Sequence, residues 1–202
     1  MSYYLIFGIT YATAAALQPG PLQTYILSQV VKRGWRATLP TAFAPLIADI
    51  PILIVVFFVF NKLPPQFLNY VRIAGGLFLF YLAYKTFLSC KTFTEVTPND
   101  KIINTFWGAV TVNLLNPHPY IGWSLILGPM FFEALKTVPI NAIVLIVSFY
   151  STMTLSLIGI IFVFSIAKSI GPKISKSLLG LSAIGLFLFG VFQIYKGIIF
   201  FI

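Results

Sequence analysis

The chain has 202 residues, 59% of them apolar and only 8% charged, where a soluble domain carries about 25% charged residues. So large an apolar excess excludes a water-soluble fold, which would expose apolar patches beyond what monomers tolerate, and it selects an integral membrane protein. The net charge of +9 does not point to a nucleic-acid partner, because the basic residues sit between apolar runs, where the positive-inside rule places them.

At about 20 apolar residues per span, the length predicts six transmembrane helices in one all-α domain over residues 1–202, with no room for a soluble domain. The first apolar run, Leu5 to Val30, follows a segment without Lys or Arg and outlasts a signal peptide, so it reads as a retained helix. Gln18-Pro19-Gly20-Pro21 interrupts it. The second run, Ala37 to Phe60, carries Asp49 near its middle, and the third is Phe67 to Leu88. The fourth, Thr105 to Phe132, is interrupted by Asn116-Pro117-His118-Pro119; Ala142 to Ala167 and Leu178 to Phe200 complete the set. Lys32, Arg33 and Arg36 lie in the first connection, Lys85, Lys91 and Lys101 in the third, and Lys168, Lys173 and Lys176 in the fifth. The positive-inside rule then places both termini outside.

Two marks of internal repetition occur in the same order. Both interrupted helices read amide, Pro, x, Pro, and Gly76-Leu77-Phe78-Leu79-Phe80 of the third helix returns as Gly185-Leu186-Phe187-Leu188-Phe189 of the sixth. Three helices per half make the halves inverted, so the pattern predicts a three-plus-three inverted repeat with halves of roughly 1–100 and 101–202.

Two prolines one residue apart remove backbone donors and clash with preceding carbonyls, which breaks a helix. Broken backbone survives at bilayer depth only where protein or a water-filled cavity covers it, so the first and fourth helices are expected to be broken toward the interior. Pro21 and Pro119 each suit the first position of a new half-helix, whose free N–H groups would face an anion such as a carboxylate. A kink serving packing alone is the other reading. Gln18, Pro19, Gly20, Pro21, Asn116, Pro117 and His118 are therefore the candidate substrate-binding residues. The amides of Gln18 and Asn116 can serve a ligand or the broken backbone, and His118 can carry a proton, contact a carboxylate or cap a helix. Asp49 is the only acid deep in a span, where a charge costs on the order of 3 kcal/mol. It reads as a proton-coupling or ammonium-binding carboxylate, or as a hydrogen-bonded strut holding the broken first helix.

Gly8, Ala12 and Ala16 on the first helix, and Ala44 and Ala48 on the second, mark close helix crossings. Tyr3, Tyr4, Trp35, Tyr70, Trp107 and Trp123 are candidates for interfacial belts, with Trp123 deep enough to be a bundle residue instead. One His, one Cys and three Met at unrelated positions make no metal set, and Cys90 alone supports neither a disulfide nor a thiol relay. No phosphate-binding loop is present and no cofactor is expected.

Gln18-Pro19-Gly20-Pro21, the basic turn Lys32-Arg33-Gly34-Trp35-Arg36, Ala48-Asp49, the run from Arg72 to Gly76 and Leu115-Asn116-Pro117 together resemble the lysine exporter (LysE/RhtB) superfamily over nearly the whole chain. The resemblance implies a six-helix inner-membrane translocator that exports amino acids or related metabolites, coupled to the proton gradient and assembled as a homo-oligomer. Pro19, Gly20 and Pro21 match its first motif, Asp49 its second-helix acid, and Asn116 with Pro117 its fourth-helix motif. Ala44 and Ala48 stand where the family often has Gly, and His118 stands where it often has Lys. The leading expectation is a secondary exporter of a small metabolite, such as an amino acid, within the lipid bilayer. The alternatives are a membrane enzyme using Asp49 and His118, and a noncatalytic membrane subunit.

Overall fold

The computed structural model describes residues 1–18, 20–59, 67–92 and 102–199. Pro19, Lys101 and the span ends Phe60 and Phe200 lie outside the described residues.

Helix α1 (Ser2–Leu17) stops at Gln18, and α2 (Pro21–Arg33) starts again with Pro21 at its first position. Gly34, at φ 81°, turns the chain into α3 (Trp35–Thr38) through a backbone conformation that only glycine adopts without strain. A 3₁₀ stretch, Leu39–Phe43, leads into α4 (Ala44–Ile54), and a π turn over Val55–Val59 follows. The sequence predicts a plain second helix. The irregularity comes from Pro40, Pro45 and Pro51, each of which withholds an N–H that regular α geometry would use.

After α5 (Phe67–Thr92), α6 (Ile102–Leu114) ends at the second interruption. The chain resumes as α7 (Pro117–Gly122), a π turn at Trp123–Leu127 and α8 (Gly128–Thr137). Pro129 has no N–H to offer the preceding turn, and a Cβ on Gly128 would fall on the Trp123 carbonyl, so the wide turn is seated against residues that accommodate it. Helix α9 (Pro139–Ser169) and helix α10 (Pro172–Ile198) are long and unbroken, separated by Gly171 at φ 147°.

Four segments are long and apolar enough to cross a bilayer: Trp35–Phe57, Arg72–Cys90, Pro139–Ser169 and Pro172–Ile198. Their outer faces carry large apolar side chains in the open, among them Leu77, Leu155, Val163 and Leu181, each more than half exposed. In water these would aggregate; against acyl chains they are at home. The described chain is an all-α membrane protein.

The small residues do what their spacing predicts. The buried residues of α1 are Tyr4, Gly8, Ala12 and Ala16, one face at four-residue intervals, and a Cβ on Gly8 would strike Ser148 of α9. Tyr4 thus belongs to the core with Ala134, Ala142 and Leu145, not to an interfacial belt, because it continues the α1 contact face. Ala44 and Ala48 are fully buried in the central cluster with Leu22, Tyr25, Ile26, Ala109 and Leu157. Helices α5 and α10 run antiparallel, with Gly76 against Gly190 and the Phe80 ring 5.1 Å from that of Phe187. The two copies of the Gly-Leu-Phe-Leu-Phe segment therefore meet at Phe80 and Phe187, while Gly185 faces Thr24 of α2. At one end of the bundle Lys32 Nζ donates to Thr86 Oγ1 at 3.1 Å and Cys90 Sγ to the Lys176 carbonyl at 3.5 Å. These contacts gather basic residues of the first and fifth connections around the end of α5.

Candidate functional site

The two interruptions line one cavity, with Gly20 and Asn116 buried and Gln18 and His118 exposed. Its volume is about 340 Å³, within the size range of small-molecule sites. Gln18, Gly20, Leu22 and Gln23 line it from the first interruption, Asn116, His118 and Pro119 from the second, and Asp49 from α4. Pro21 and Pro117 are buried beside the interruptions but lie behind this wall, where their rings set the backbone and do not face the space. Asp49 and His118, far apart in sequence, therefore border one cavity.

Each break settles its backbone differently. At the first, the Gln18 N–H reaches the Ala14 carbonyl at 3.0 Å, and Gln23 folds back so that Nε2 donates to the Ala16 carbonyl at 2.8 Å and the Ala15 carbonyl at 3.5 Å. An α2 side chain thus splints the last turn of α1, whose carbonyls have no following helix to bond. Gly20, the residue before α2, is extended at φ −161° and has no side chain to cap the helix, so the α2 N-terminus opens toward the cavity through Gly20, Leu22 and Gln23.

At the second break the expectation is corrected. The new helix begins at Pro117, not Pro119, and Asn116 caps it: Asn116 Oδ1 accepts from the His118 N–H at 3.2 Å. A side-chain oxygen immediately before a proline makes that proline the natural first helical residue. Of the two readings of Asn116, the structural one is therefore occupied, and the amide at His118 is already committed. Tyr120 Oη donates to the Leu114 carbonyl at 3.0 Å, closing the end of α6. Helix α5 presses on this turn, where a Cβ on Gly75 would collide with the Leu115 carbonyl.

Asp49 is 4% exposed. Trp123 Nε1 donates to its Oδ2 at 3.0 Å and Tyr150 Oη donates to the same oxygen at 2.8 Å. Oδ1 is buried and has no hydrogen-bond partner among the described residues. Both donors are themselves locked. The Trp123 ring, 2% exposed, stands edge-on to Phe57 and Phe149 at 6.1 and 6.4 Å, and Tyr150 lies edge-on to Phe149 at 5.1 Å. Trp123 is thus a site residue, and not one of an interfacial belt. The strut reading of Asp49 accounts for one oxygen and leaves the other, buried beside the cavity, without a partner among the described residues.

Sequence reasoning missed Tyr11, Gln23, Asn113, Trp123 and Tyr150. Asn113 lines the cavity, is 5% exposed, and its Nδ2 has no partner among the described residues. Its signal was an amide in the middle of an apolar span, three residues before Asn116, of the same kind that drew attention to Gln18 and Asn116. Trp123 and Tyr150 gave no comparable signal, since aromatic residues fill apolar spans for packing alone.

Cavity, deep acid and paired breaks make a polar centre inside an apolar bundle, the arrangement of a site that a small polar molecule crosses. No curated protein and no solved structure matched the chain. The family model described as LysE type translocator matches residues 13–197, which takes in both breaks, Asp49 and every other residue of the cavity except Tyr11. The chain belongs to the LysE type translocator family, a family of membrane translocators.

Proposed function

We propose that the protein is a six-span secondary transporter that exports an amino acid or a related small metabolite across the cell's inner membrane in exchange for protons, with the cavity between the breaks as its binding site. The observation that carries this reading is the convergence of two interrupted helices and the buried acid Asp49 on one cavity. The first and fourth spans complete the six. Neither α1, at 16 residues, nor α2, at 13, reaches the roughly 20 residues that cross a bilayer alone, and together they do. An inverted three-plus-three repeat is supported by the matching positions of the breaks and by the Gly-Leu-Phe-Leu-Phe segments of α5 and α10, which meet at Phe80 and Phe187.

In this mechanism substrate and proton compete for Asp49. A buried carboxylate with one oxygen held by neutral donors must be satisfied at the other by a proton or by a cationic group of the substrate. Exchange of one for the other, as the cavity faces alternate sides, couples efflux to the gradient. Purified protein in liposomes should therefore drive labelled amino acid against its gradient when a pH gradient is imposed, and lose this drive when a protonophore collapses it. Flux indifferent to the pH gradient would remove the antiport reading, and no flux for any of the common amino acids would remove the amino acid as the substrate.

The basic end of the bundle faces the cytoplasm in this reading, leaving both termini outside. Lys173→Cys, placed in a Cys90→Ser background, should react with a membrane-impermeant thiol reagent only after permeabilisation. Labelling in intact cells would invert the topology. Lys173 suits the test because it is exposed in the first turn of α10.

A further inference from the structure

Two residues of the cavity wall each hold a buried polar atom without a partner among the described residues, and the two atoms are of opposite kind: Asp49 Oδ1 is an acceptor without a donor, and Asn113 Nδ2 is a donor without an acceptor. We infer that they are the two poles of a site for one zwitterion with an apolar side chain, the substrate ammonium meeting Asp49 Oδ1 and its carboxylate meeting Asn113 Nδ2. This rests on the exporter reading and narrows it to a substrate class.

The charges at the site decide the first pole. Trp123 and Tyr150 give Oδ2 two hydrogen bonds but no countercharge, and no Lys or Arg lines the cavity among the described residues. An ionised carboxylate in such a place is stabilised by a donor that also carries positive charge, and an α-ammonium supplies both. The second pole needs an acceptor, and a carboxylate oxygen is the strongest one a small metabolite offers. Two further amides fall on the same wall, because α2 opens on the cavity through Leu22 and Gln23, whose N–H groups lie in the first turn, where a helix makes no bonds of its own. Thr24 is the first residue of that helix to donate within it, to the Gly20 carbonyl at 3.1 Å.

The remaining wall sets the side chain. Leu22, Ile121, Ile126, Leu127, Phe149 and Met153 supply apolar surface, and Asp49 is the only acid on the wall among the described residues. A dibasic amino acid would bring a second cation with no carboxylate to meet it, whereas an aliphatic side chain gains from burial.

Purified full-length protein tests this by thermal shift and by counterflow of labelled leucine in liposomes. The competitors are leucine, 3-methylbutylamine (ammonium with no carboxylate or carbonyl), 4-methylpentanoate (carboxylate without ammonium) and lysine. Leucine should stabilise the protein and compete, and each of the other three should be about tenfold weaker or worse, the loss expected when one charged hydrogen-bonding pole is unmet. Asn113→Ala should abolish the preference for leucine over 3-methylbutylamine by weakening leucine, since the amine has no group to meet Nδ2. Asn113→Asp, which replaces the donor by an acceptor, should reverse that preference. Lysine binding as well as leucine, or an Asn113→Ala protein that still prefers leucine about tenfold, overturns the inference while leaving the exporter reading in place. Failure of every amino acid to bind or exchange overturns the inference together with the amino-acid part of the exporter reading.

Discussion

Asp49→Asn is expected to insert and fold as the wild type does and to lose proton-driven export. Folding should survive because the asparagine carbonyl oxygen can take the place of Oδ2 and accept from Trp123 Nε1 and Tyr150 Oη, now 3.0 and 2.8 Å away. The change also removes an ionisable group from a position that is 4% exposed, where charge is costly. What disappears is the ability to exchange a proton for a substrate cation. In liposomes with an imposed pH gradient, efflux should drop to the level of protein-free vesicles. Counterflow at saturating substrate should continue with a raised apparent KM, since an amide still offers the ammonium a dipole but not a charge. Undiminished gradient-driven efflux by the Asn protein would take Asp49 out of the coupling step.

Gln23→Met should give the largest loss of stability, although Gln23 sits among residues that look like binding groups. Methionine preserves length and bulk but cannot donate, so the Ala16 and Ala15 carbonyls would lose the splint that now reaches them at 2.8 and 3.5 Å. In a bilayer an unsatisfied backbone group costs several kcal/mol, more than the roughly 1 kcal/mol that a typical hydrogen bond contributes in water. A clearly lowered Tm in detergent and reduced yield in membranes are expected, with substrate affinity of the surviving protein changed far less. A Gln23→Met protein as stable as wild type would show that the first break holds together without this side chain.

These two residues show what could and could not be read from the sequence. Asp49 was legible because an acid in the middle of an apolar span has few explanations, and the breaks were legible because paired prolines leave a helix no way to continue. Gln23 was not, because its partners are carbonyls of the preceding helix, and no side-chain pattern reports a backbone acceptor. Nor were Trp123 and Tyr150, which lie 74 and 101 positions from Asp49. Contacts across such separations follow from how spans cross, and crossing is set by small-residue faces such as Gly8, Ala12 and Ala16 whose pairing the sequence leaves open. The start of α7 turned on a local detail. Either proline of Asn116-Pro117-His118-Pro119 could head a helix, and it is the Asn116 side chain, capping at His118 N–H, that selects the first.

The second span gives the opposite lesson. Its apolar character predicts a continuous helix, and the chain is indeed helical from Trp35 onward, yet three prolines spread over it produce a 3₁₀ entry and a π exit around the Asp49 segment. Departures from α geometry on both sides of a buried acid, and again at Trp123–Leu127 opposite it, place the irregular backbone of the bundle around the cavity. Irregular backbone is tolerated at this depth only beside protein or a polar space, so its clustering here follows from the same constraint that fixes the two breaks.

A molecule that is transported through this cavity must shield a cysteine placed on its wall. Ile121 lines the cavity without taking part in any hydrogen bond described above, and Cys90→Ser removes the native thiol while keeping a donor toward the Lys176 carbonyl. In the double variant Cys90→Ser, Ile121→Cys, purified and shown to transport, alkylation of Cys at position 121 by a small maleimide should slow severalfold as a transported amino acid is added, with half-protection near its KM. A variant that transports that amino acid while its alkylation rate stays the same at saturating concentration would show that the substrate crosses by another route.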